Sequence, residues 1–186
     1  KRSASIRLLG DLVKVSVPMT LSDSRIRNLV TKRTPWIKNK LREQSDRPIT
    51  PPKEYVSGET VTYLGKNYRL KVLMGDQPSI KLRRGYVEAT VTKTDIDPKN
   101  TIRSLLEHWY RSLAEKRLGE KTVRLAGVIG VNPASVTVKN YKSRWGSCST
   151  KGDISYNWRI ILAPHSIVDY VVVHELCHML EHNHSS

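Results

Sequence analysis

The stretch VVVHELCHMLEHNHSS, residues 171–186, decides how this chain is read. Four of the six histidines lie in it, at positions 174, 178, 182 and 184. His174-Glu175-Leu176-Cys177-His178 has the form H-E-x-x-H. On a helix, positions i and i+4 stand one above the other, so two imidazoles can reach one Zn²⁺ at about 2.0–2.1 Å. Glu175 then lies beside the ion, where it can take a proton from a water held there. Ile167, Val168, Tyr170, Val171, Val172, Val173, Leu176, Cys177, Met179 and Leu180 make the segment apolar nearly all round, which predicts a buried helix. Two histidines and a glutamate are costly in such a place unless something partners them. The competing interpretation is a pair of hydrogen-bonded core histidines.

A catalytic site of this type needs a third protein ligand. His182 continues the line at i+8, but eight helical residues rise about 12 Å, too far while the helix continues. His184 can reach the ion if the chain reverses first, and Asn183 tolerates the left-handed conformation that ends helices. The order of candidates is His184, then His182 if the helix ends early, then Glu181. Cys177 is expected to be a small apolar filler, and neither Cys148 nor Cys177 shows the Cys–His pattern of a thiol nucleophile.

Upstream, 46–52 (DRPITPP) is the clearest linker. Before it, 6–18 reads as extended. Ser22 opens a helical pattern through Ile26, Leu29, Val30, Ile37 and Leu41, which Pro35 is expected to split or kink. Its other side carries Arg25, Arg27, Lys32, Arg33, Lys38, Lys40 and Arg42, an expected solvated face. Strand-like runs at 60–64, 68–73, 79–82 and 86–91 predict a small antiparallel sheet that the first strand can join. Asp97-Pro98 opens a helix that Gly119 is expected to close, followed by a second, shorter helix. Strands at 135–142 and 154–162 follow, joined by a turn at 144–152. The last helix starts after Pro164, with Ser166 and Asp169 as a capping box.

The chain has 186 residues, enough for one large domain or two small ones, and the expected division is 1–95 and 96–186. Its net charge of +15 suits phosphate or nucleic-acid contact, and residues 1–50 hold twelve Lys and Arg against four acids. No apolar run has the 18 or more residues of a membrane span, so no membrane partner is expected. Two cysteines are too few for a disulfide framework, which makes the cytoplasm the default location. The start without Met and the end two residues past His184 predict a longer parent chain.

Residues 141–149 (YKSRWGSCS), 154–159 (ISYNWR), 162–164 (LAP), 169–178 (DYVVVHELCH) and 183–185 (NHS) together resemble the YgjP-like family of metal-dependent hydrolases. That family stands with the zincin metallopeptidases and is similar to SprT-type domains. The likeness is densest over 136–186 and continues upstream through Trp36 and Tyr63-Leu64-Gly65. It implies an α+β fold: a zincin-like core with a central H-E-x-x-H helix packed on a mixed sheet, plus an N-terminal β-rich region. It also implies Zn²⁺ held by His174, His178 and His184, with Glu175 as general base. Arg144 is a candidate substrate contact, and Trp145 an expected core residue. The expected function is a zinc-dependent peptidase acting on a peptide or protein, with an extended substrate pairing along 154–162. Two alternatives use the basic surface: a metal-dependent nucleotide or phosphoester hydrolase, and a nucleic-acid-associated module with a structural or locally proteolytic zinc site.

Overall fold

The structure is a computed structural model that describes residues 4–9, 12–46 and 52–181. Two compact units divide at Pro52/Lys53. The first contains an antiparallel hairpin, β1 (Ser5–Leu9) and β2 (Leu12–Ser16), with Ser5 opposite Ser16. The extended run at 6–18 is therefore two strands that pair with each other and do not join the later sheet. The helix α1 (Asp23–Ser45) runs through Pro35 as one element. Its apolar line continues on both sides of the proline, and Ile37 is buried. The seven cations of its other side are all exposed, as a solvated face requires. Most of the linker, 47–51, lies outside the described residues.

In the second unit, β3 (Thr60–Tyr63), β4 (Lys66–Met74), β5 (Ser79–Arg83) and β6 (Tyr86–Val91) form a sheet of order β3-β4-β6-β5. The pairs β3–β4 and β5–β6 are antiparallel, but β4 and β6 are parallel, so the sheet is mixed rather than antiparallel. Strand propensity marks these segments, yet it carries no information on which neighbour each one chooses. Val87, Ala89 and Val91 alternate along β6, and all three are fully buried. They share one core with Ile102, Leu106, Ala114 and Leu118 of the next helix. That common core is why the chain shows no division at 95/96.

This helix, α2, spans Pro98–Ile129. Asp97 caps it as expected, its side chain accepting from the Asn100 N–H at 3.1 Å. Gly119 does not close it, and Gly130 does. An interior glycine costs about 1 kcal/mol, and the buried row Ala114, Leu118, Thr122 and Ala126 on either side of it outweighs that cost.

A second mixed sheet follows, of order β7-β9-β8, from β7 (Ser135–Lys139), β8 (Gly146–Cys148) and β9 (Asp153–Asn157). β7 runs parallel to β9, and β8 antiparallel to it. The turn expected at 144–152 thus contains a short strand. The strand expected at 154–162 stops at Asn157, where a 3₁₀ helix, Trp158–Leu162, takes over. The last helix, α3 (His165–Cys177), begins after Pro164. Ser166 forms no side-chain cap, because Pro164 already occupies the N-cap position. Asp169 instead pairs with Lys121 of α2, at 2.5 Å.

The start of α3 is set by a distant turn. Leu64 and Gly65 join β3 to β4 as a two-residue loop, with φ of 48° and 75°. Their amides donate to the carbonyls of Ile161 (2.8 Å) and Leu162 (3.2 Å). A Cβ on Gly65 would lie 2.8 Å from the Cα of Pro164, so only glycine permits both the turn and the close approach.

Candidate metal centre and active-site cleft

α3 buries one stripe, Val168, Val171, Val172, Glu175 and Leu176, against the core. Its opposite side is open: Ile167 is 48% exposed and Tyr170 65% exposed. Cys177 is exposed as well, so it does not serve as a core filler. The helix is therefore not buried all round. Its open lane of Ile167, Tyr170 and His174 follows the spacing of three and four residues that places side chains on one face.

His174 and Glu175 stand in the last turn, and His178 is the C-cap residue with helical backbone angles. The i, i+4 geometry is thereby kept, and the two imidazole rings meet edge to face at 4.8 Å between centroids. Tyr170 stacks on His174 at 5.9 Å and 24°. Nδ1 of His178 lies 3.3 Å from the Glu181 carbonyl. Since a carbonyl only accepts, that hydrogen bond puts the ring proton on Nδ1.

These side chains share a cleft of about 340 Å³ with Gly146, Ser147 and Cys148 of β8 and with Thr150. Glu175 is only 5% exposed, and its carboxyl group lies over the backbone of Gly146. A Cβ at 146 would come within 2.7 Å of the Glu175 Cγ and Cδ, so the absence of a side chain at Gly146 is what makes room for the carboxylate.

The charge of Glu175 reaches its neighbours. Burial pushes the Cys148 thiol up, and the charges of Glu175 and Asp153 add to the effect, which keeps Cys148 protonated and a poor nucleophile. Burial also pushes the Tyr156 phenol up to about 12, with Glu175 adding and the Thr122 hydrogen bond opposing. Thr122 Oγ1 donates to the Leu118 carbonyl at 2.7 Å and accepts from the Tyr156 hydroxyl at 3.0 Å. This satisfies two buried hydroxyls.

The sequence candidates fall into three groups. His174, Glu175 and His178 line one cleft. Arg144 lines a neighbouring one with Tyr141 and Trp145, and Trp145 is 54% exposed rather than part of the core. His182 and His184 lie outside the described residues. α3 ends at Cys177, four residues before the last described residue, Glu181. Glu181 is exposed, and among the described residues no group of three or more His, Cys, Asp or Glu side chains is gathered that could hold a metal ion. From sequence, Gly146 has no assigned role, and Tyr170 counts only among the apolar residues of the helix. Tyr170 precedes His174 by four residues, a spacing that could have revealed it.

Among the described residues no helix is long and apolar enough to cross a membrane. No curated protein and no solved structure matches the chain. A family model described as "YgjP-like, metallopeptidase domain" matches residues 2–186. With nearly its whole length matched, the chain belongs to the YgjP-like metallopeptidase domain family.

Proposed function

We propose that this chain is a zinc-dependent peptidase, with His174, His178 and His184 as metal ligands and Glu175 as general base. The observation that carries the proposal is the buried Glu175 carboxylate, held over Gly146 in the cleft that His174 and His178 line. The residues present fit a zinc ion. Imidazole is a good zinc donor, and His178 with its proton on Nδ1 keeps the Nε2 lone pair that ligation uses. Gly146 supplies the space for the Glu175 carboxylate in the same cleft.

When bound, zinc would polarise a scissile carbonyl and lower the pKa of a coordinated water toward about 7. Glu175 takes the proton from the attacking water and returns it to the leaving amine. Tyr170 fixes the plane of the His174 ring by stacking. β8, rather than the 154–162 segment, is the strand placed to receive an extended peptide, because β9 is flanked on both sides, whereas β8 is an edge strand that lines the cleft. Its backbone would draw the substrate along the cleft past Glu175.

The test is metal analysis together with cleavage of an unfolded protein. About one zinc per chain is expected, as for a three-ligand catalytic site. It should be lost in His174→Ala, with proteolysis abolished by chelation and restored by zinc. A chain that retains no zinc, or that binds zinc and cleaves nothing, refutes the proposal.

A further inference from the structure

The segment at 140–145, which leads into β8, lines a second cleft of about 580 Å³. Tyr141, Lys142, Arg144 and Trp145 come from this segment, Asn157 from the end of β9, and Arg159 from the 3₁₀ helix. Three cations face the space, and among the described residues no carboxylate lines it. The Arg144 guanidinium lies over the Tyr141 ring at 5.3 Å, and Arg159 lies over Trp158 at 4.4 Å. Arg159 also donates to the Asn140 side-chain oxygen.

This loop is built rather than draped. Asn157 is 4% exposed, and its side-chain amide donates to the carbonyls of Tyr141 (3.0 Å) and Arg144 (3.1 Å). Its backbone amide donates to the Trp145 carbonyl at 2.8 Å. A buried polar residue is thus committed to holding the backbone of this loop in one arrangement, which lowers the entropy lost when an anion binds. Trp145 immediately precedes Gly146, the residue beneath the Glu175 carboxylate. At no more than about 3.3 Å per residue, Arg144 lies at most about 7 Å along the chain from that point.

We propose that this cleft is a specificity subsite, resting on the peptidase function proposed above, that binds an anionic side chain of the peptide within about three residues of the bond cut. The ligand chemistry is a carboxylate or a phosphate: guanidinium groups engage both through paired N–H donors, and exposed Trp145 offers a flat apolar wall to the same side chain.

The test uses the full chain carrying Glu175→Gln, which binds without turnover, and fluorescent peptides of one sequence. Asp, phosphoserine or Asn is placed at each position in turn. An anionic residue should tighten binding about tenfold over Asn at one or two positions. Arg144→Gln and, separately, Lys142→Gln should reduce that preference to below about threefold, whereas Arg83→Gln on β5 should leave it intact. The Asp and phosphoserine arms separate a carboxylate site from a phosphate site. Equal binding of anionic and Asn peptides overturns the proposal. So does tighter binding of a single-stranded oligonucleotide with the same dependence on Arg144, which would assign the cleft to nucleic acid. Anion-selective peptide binding in a protein whose wild type cleaves no peptide upholds the subsite and sinks the peptidase function alone.

Discussion

The two mixed sheets of the second unit repeat one three-strand pattern. In each, the first strand runs parallel to the third, and the second strand lies antiparallel at the edge: β4-β6-β5 and β7-β9-β8. What they bury differs. The central strand β6 buries Val87, Ala89 and Val91, whereas β9 is buried on both faces. Its Ile154 and Tyr156 enter the core, and its Ser155 and Asn157 bond to Thr137 and to the loop carbonyls. The edges differ too, five residues in β5 against three in β8. In the first sheet the pattern serves packing. In the second, buried polarity holds a loop and a short strand beside the histidines, so the same topology becomes a scaffold for chemistry.

That contrast can be broken from either side. The largest effect is expected from Glu175→Gln: a fall in kcat/KM of about 10²–10⁴, the usual contribution of a general base, with zinc content unchanged in elemental analysis. Next comes Leu70→Ala in the first sheet, a residue 2% exposed. Denaturant titration should show a loss of about 2–5 kcal/mol, while turnover per folded molecule stays at the wild-type value. Gly146→Ala should do the reverse. Its new Cβ displaces the Glu175 carboxyl group, and about a 10²-fold loss of kcat is expected at nearly unchanged stability.

The smallest effect concerns Cys148. Its raised thiol pKa makes it label more slowly with iodoacetamide at pH 8 than an ordinary cysteine. Removing the Glu175 charge in Glu175→Gln lowers that pKa and should speed labelling about two- to fivefold. Unchanged labelling would mean that burial, and not Glu175, raises the Cys148 thiol.

Local signals in the sequence are legible where one residue decides the outcome. Asp97-Pro98 marks the start of α2, and Pro164 the start of α3. The limits of β6 coincide with its alternating run. The departures from local propensity share a cause. Gly119 and Pro35 are breakers on propensity alone, but the apolar rows around them continue; the row around Gly119 is buried, and beside Pro35 Ile37 is buried and the other apolar residues of its row half-buried. The parallel pairings were invisible because alternation reports which face is buried, never which strand lies alongside. In the cleft, the spacing of His174 and His178 could be read directly. The role of Gly146 could not, since it depends on a strand meeting a helix nearly thirty residues later.

The Gly65–Pro164 contact also has a kinetic side. It closes a loop of roughly a hundred residues, a slow and entropically costly event in any folding chain. The start of α3, and with it the placement of His174, Glu175 and His178, is therefore tied to completion of the first sheet. A nascent or half-folded chain has the H-E-x-x-H sequence without a cleft around it. On the function proposed above, hydrolytic competence would arrive only with the finished fold.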